Sequence, residues 1–176
     1  MKNLNTDYIR TNIFKLIDSV GISDISFAYI IGISDKQLKR IKKQEAEFTL
    51  ENINKACDFF ALSVSKLNSK HLKIDHRLRE QLAVKHKNNT EYMHLLSVRP
   101  TITYAIKYFL LNDEAFREEG LTVGQVRHVL EEKGWAYSSP YISGSMSRNS
   151  DIIEIIGTKT VKGKEANIYR ARKQSN

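Results

Sequence analysis

Cysteine is almost absent: Cys57 is the only one in 176 residues. No intrachain disulfide and no cysteine-built zinc cage can form, and such usage fits a reducing, cytoplasmic setting. No apolar run approaches the ~20 residues a membrane span requires. Met1-Lys2-Asn3 is not followed by an apolar segment with a cleavage site, so neither a signal peptide nor a membrane partner is expected. Acid is in deficit, with 28 Lys and Arg against 20 Asp and Glu, a formal charge of +8. That balance points to an anionic partner such as nucleic acid. The eight glycines make no phosphate-cradling loop or dinucleotide fingerprint, which argues against nucleotide hydrolysis. What is present is 41% apolar and 27% charged, a folding rather than a disordered composition.

Three blocks succeed one another. Residues 1–70 are rich in short helical patterns and contain no proline. Residues 71–89 form a basic linker or bridging helix, with five Lys and Arg against two acids. Leu72, Ile74, Leu78, Leu82 and Val84 make only a loose helical stripe there, flanked by His76, Arg77, Arg79 and Lys85. A tether that orders on DNA and a dimerising helix are both open for it. Residues 90–176 hold both prolines and the only tryptophan.

The stretch "AYIIGISDKQLKRIKK", residues 28–43, carries the clearest signal. Ile9, Ile13, Leu16, Ile17 and Val20 define a helix before it that stops at Gly21. Ser23 or Asp24 can cap a second helix ending at Gly32, and Ser34 or Asp35 a third running to Lys43. Thr49 precedes a fourth, with Leu50, Ile53, Ala56, Cys57 and Phe60 on one face, and residues 63–69 close the set. Two helices crossing tightly need a small residue in the first, Ala28, and a turn residue tolerant of positive φ four places on, Gly32. Leu38 and Ile41 then point inward, leaving Asp35, Lys36, Gln37, Lys39, Arg40 and Lys43 outward. A helix studded with cations and amides can enter a major groove, where Lys and Arg reach guanine and Gln can read adenine.

On Ala28, Gly32, Ser34, Leu38, Ile41 and the downstream "TLENINKACDFFALSVSKL", the segment from about residue 6 to 69 resembles the Cro/repressor-like (XRE-type) helix-turn-helix family. The resemblance implies a five-helix DNA-binding domain. It puts Ser34, Asp35, Lys36 and Arg40 at base-facing positions, with Gln37, Lys39 and Lys43 nearer the backbone. Two positions depart from the family pattern. Asp24 stands where Gln often contacts a phosphate, and Lys42 stands where Glu often comes after the residue matched by Ile41.

The third block gives a helix over 99–113 with Pro100 in its first turn, then a short extended piece. Next come a helix with Val123, Val126, Val129 and Leu130 inward, and a polar helix over 138–151. Two β-like runs, 152–156 and 166–172, flank a Lys/Gly-rich turn. That order resembles a winged helix-turn-helix domain with a small β-hairpin over residues 98–173. The resemblance makes Ser139, Tyr141, Ser145, Arg148 and Asn149 the recognition-helix candidates, with Lys159, Lys162 and Lys164 on the wing toward phosphates.

No catalytic constellation is legible. The five histidines lack metal-pair spacing, and the serine-rich stretch lacks a nucleophile elbow. His71, His76, His86 and His94 are expected to face solvent or phosphate, and Cys57 to pack as a small apolar group. The expectation is therefore a mainly α, non-enzymatic protein without cofactor or metal: a sequence-specific transcriptional regulator on double-stranded DNA, of repressor type. As a homodimer it would space its half-sites about one helical turn, roughly 34 Å, apart. The alternative is a DNA-tethered accessory protein whose winged helix docks another protein or dimerises.

Overall fold

Short polar side chains start most of the helices, because each helix leaves its first N–H groups without an internal partner. In the computed structural model, which describes residues 4–173, Asn5 accepts from the Tyr8 N–H to open α1 (Thr6–Val20). Ser23 opens α2 (Asp24–Ile31), and Ser34 opens α3 (Asp35–Lys42). A reciprocal Thr49–Asn52 box opens α4 (Leu50–Phe60), and Ser63 opens α5 (Val64–Leu67). At both α2 and α3 the cap is the serine, not the aspartate next to it. Gly21 and Gly32 end α1 and α2 in the left-handed region, at φ 71° and 74°.

The chain is mainly helical and divides into two compact units at Thr101/Ile102. In the first, Ile9, Ile13, Leu16 and Ile17 of α1 meet Phe27, Ile31, Leu38, Ile41, Phe59, Phe60 and Leu67 in one core. Buried Asn12 donates to the Leu67 and Ser69 carbonyls, 2.8 Å each, which fixes the end of α5 against α1.

Residues 71–89 do not form a linker. They contribute α6 (Leu78–Lys85), and the first unit runs on through α7 (Thr90–Ser97). Leu78, Leu82 and Leu96 join its core, whereas Val84 is 73% exposed and lies outside any apolar stripe. Arg79 is the reason this basic segment is folded in. It is buried and donates to the carbonyls of Val20 (2.6 Å), Leu96 (2.6 Å) and Val98 (2.7 Å). One guanidinium thus serves the carboxyl ends of α1 and α7, where both the orphan carbonyls and the helix dipoles favour a cation. His86 is likewise structural: its Nε2 lies 2.7 Å from the Phe59 carbonyl, and its ring stacks on Phe59.

Pro100 lies outside the helix it was expected to start, since the Thr101 N–H is already bonded to the Gly21 carbonyl at 2.8 Å. The second unit opens with α8 (Ile102–Tyr104), which leads into a π-helical turn over Ala105–Phe109 and a 3₁₀ turn over Leu110–Asn112. This keeps Ile102, Ala105, Ile106 and Leu110 inward. Then come α9 (Glu114–Glu118), β1 (Leu121–Thr122), α10 (Val123–Glu132), α11 (Ser139–Arg148), β2 (Ile153–Val161) and β3 (Lys164–Ala171). The sheet is antiparallel, in the order β1-β3-β2. The extended piece expected before α10 is therefore a third strand pairing Leu121 and Thr122 with Tyr169 and Ile168. The core of this unit gathers Phe116, Val126, Leu130, Ile142, Met146 and Tyr169.

Arg79→Leu is expected to destabilise the first unit by about 2–4 kcal/mol, because three carbonyls lose a buried charged donor. Urea unfolding followed by far-UV circular dichroism measures this. A loss no larger than that of the exposed Arg77→Leu would contradict the role.

Candidate functional site

The geometry of α3 is set at its entry. Gly32 at φ +74° turns the chain, and the Ile33 N–H reaches back to the Ala28 carbonyl at 2.9 Å. Any side chain at that φ is strained by about 1–2 kcal/mol. Ala28, 2% exposed, lets α2 run close to its neighbours, and the Asn52 amide donates to the Ile31 carbonyl at 3.3 Å. Only Leu38 and Ile41 of α3 are fully buried. Everything else on that helix is free to face outward, by the 3.6-residue period.

The outward residues sort by pairing. Ser34 is used as the cap, accepting from the Gln37 N–H at 3.1 Å. Asp35 is half-buried and bound to Lys39 at 2.6 Å, one turn on. Hydrogen bonding to Asp35 holds the Lys39 ammonium above the ordinary lysine range. Gln37 is half-buried beside them. Lys42 reaches across to Asp24 of α2 at 2.8 Å, and its ammonium also sits 5.1 Å from the centre of the Phe14 ring. The two positions that depart from the family pattern are thus partners of each other. Lys36, Arg40 and Lys43 remain, all exposed and without an acidic partner among the described residues. At i, i+4 and i+7 they form a single cationic stripe, Lys36 and Arg40 on the outer face of α3 and Lys43 at its C-cap.

In the second unit the α11 candidates fare differently. Tyr141 is 45% exposed and Arg148 is exposed, while Ser139 is half-buried. Ser145 is buried at 1% and cannot face a ligand. The helical period places it with Ile142 and Met146, and its hydroxyl accepts from the Arg148 guanidinium at 2.9 Å. Asn149 is the half-buried C-cap, its amide donating to the Ser145 carbonyl at 2.8 Å. The 3.6-residue period already puts Ser145 on the side of Ile142 and Met146, where its small size lets it pack. Lys159, Lys162 and Lys164 are all exposed at the distal end of the β2–β3 hairpin. Lys162 and Gly163, at φ 49° and 77°, make its two-residue turn.

Among the described residues, no group of three or more His, Cys, Asp or Glu is placed to hold a metal. None of their helices is long and apolar enough to cross a membrane. Burial pushes the Cys57 thiol above its ordinary range, so it stays protonated on the core face of α4. Searches against protein-family models, curated proteins and solved structures find no match to the chain.

Gly32→Ala is expected to cost about 1–2 kcal/mol, the strain of a left-handed Ala. The Lys55 ammonium 3.0 Å from the new Cβ would add little, being the end of a flexible chain. Denaturant unfolding of the first unit checks this, and an unchanged midpoint would show that the turn relaxes freely.

Proposed function

We propose that the chain is a sequence-specific double-stranded DNA-binding regulator that reads the major groove with α3. The observation that supports this reading is the stripe of Lys36, Arg40 and Lys43, exposed and without an acidic partner among the described residues, along a helix and C-cap anchored by just two buried side chains. Unpaired surface cations are the groups that gain most from a phosphate or a guanine edge, since they break no existing ion pair on binding. The Cro/repressor-like resemblance implies five helices; the first unit has α1 to α5 and adds α6 and α7 to them. The resemblance puts Lys36 and Arg40 over bases and Lys43 near the backbone. Asp35, held by Lys39, takes a supporting place beside them rather than a reading one. The Asp24–Lys42 pair neutralises a carboxylate that would otherwise repel phosphate at the start of α2.

The second unit has the element order of a winged helix, and its hairpin offers Lys159, Lys162 and Lys164 to the DNA backbone. Its α11 is more weakly equipped for base reading, with Arg148 its only basic residue and that group hydrogen-bonded to Ser145. The division of labour is therefore specificity from α3 and sequence-independent affinity from the hairpin. A homodimer would place two copies of α3 on half-sites about 34 Å apart.

Sites selected from random DNA with the full chain supply the probe. Lys36→Ala with Arg40→Ala is expected to lower preference for the selected site over random duplex by about 10- to 100-fold. Lys159→Ala, Lys162→Ala and Lys164→Ala together are expected to weaken binding to all duplexes alike. They should also flatten the salt dependence by about one unit of slope for each phosphate no longer neutralised. Gel shifts across a salt series separate the two effects. Identical behaviour of the two variants, or no binding by the wild type at low salt, would end this reading.

Asp24→Asn is expected to free Lys42 and steepen the salt dependence of DNA binding by up to about one unit. The same salt series measures it, and a flatter slope would show that Asp24 itself supports the contact.

A further inference from the structure

The hairpin lysines border a feature that DNA binding does not use. An open groove of about 690 Å³ lies in the second unit, lined by β1 and the start of α10 and by the distal half of β2. Leu121, Val129 and Val161 give it an apolar floor, and Lys159, Lys162 and His128 line it with basic groups. Among the described residues no carboxylate lines it. Glu132, one turn further along α10, is bound to His128 at 3.5 Å. Val161 is 42% exposed near the hairpin tip, where a valine gains nothing from solvent.

We propose that this groove docks an acidic, apolar-anchored peptide segment of a protein partner. Two kinds of group are needed at once: aliphatic side chains to cover Val129 and Val161, and carboxylates within reach of Lys159 and Lys162. A DNA backbone supplies the anions but has no aliphatic group for the floor. A small molecule would leave much of its surface in water, because the groove is open rather than enclosing. An extended or helical peptide meets both demands, with hydrophobic anchors along a groove and charge at its rim. The inference goes beyond the reading of α3 and shares with the DNA proposal only the hairpin lysines. It carries a regulatory consequence, since Lys159 and Lys162 cannot serve phosphates and carboxylates together. The partner therefore displaces the hairpin from DNA while leaving α3 engaged.

The test is selection of a random 12-residue phage-displayed peptide library on the immobilised full chain. Affinity measurements with the enriched peptide, made synthetically, complete it. Enriched sequences are expected to combine Leu, Ile, Val or Phe with Asp and Glu. Binding should weaken at least about tenfold in Val161→Asp and in Lys159→Ala with Lys162→Ala. Val161→Thr, a gentler and uncharged change, should weaken the peptide by a smaller factor and keep its affinity for duplex DNA within about twofold. Saturating peptide should lower DNA affinity to that of the Lys159→Ala, Lys162→Ala double variant. Enriched peptides without acids, or peptide binding indifferent to Val161→Asp, would overturn the proposal. Loss of DNA affinity in Val161→Thr with no peptide enriched would assign the groove to DNA instead. Because peptide and DNA are read separately, failure of wild-type DNA binding would leave the peptide result standing.

Discussion

The left-handed turn at Gly32 is the constraint on which the first unit's exposed chemistry depends. A residue with a Cβ at φ +74° would be strained, and a larger side chain than Ala28 would hold α2 away from its neighbours. Given both, α3 leaves the turn with Leu38 and Ile41 under it and its remaining side chains outside. Burying each of those two contributes about 1.5–3 kcal/mol, enough to fix the helix while its outer face stays clear of packing.

Charge on that face is then edited by neighbours. Of the five Lys and Arg between Gly32 and Gln44, Lys39 and Lys42 are answered by Asp35 and Asp24. Exposed ion pairs of this kind stabilise little, on the order of 0–1 kcal/mol. Their larger effect is on what remains, which is a stripe of like charge at one helical spacing. The second unit is organised differently. Three of its cations, Lys159, Lys162 and Lys164, sit at a hairpin tip beside an apolar groove, and its helix α11 turns Ser145 inward.

The extent of the first unit is set by the carbonyls its helices leave unbonded. Helix ends buried without donors are costly, and this chain supplies the donors from side chains far along the sequence. Asn12 serves the end of α5, Asn52 the end of α2, and Arg79 the ends of α1 and α7. Arg79 therefore places its own helix inside the fold, and the segment whose charge suggested a tether becomes part of the core.

Periodicity and caps made the first five helices legible in the sequence, because Ile9, Ile13, Leu16 and Ile17 must share a face and Ser23, Ser34 and Thr49 each satisfy the first N–H groups of a new helix. The stripe of Lys36, Arg40 and Lys43 was also implicit, since i, i+4 and i+7 are geometric consequences of a helix. That Lys42 is silenced was not, because Asp24 and Lys42 lie 18 residues apart and meet only when α2 and α3 cross. The burial of Arg79 was equally hidden: local sequence records that a side chain is polar, and only tertiary packing decides whether water or a carbonyl will be its partner.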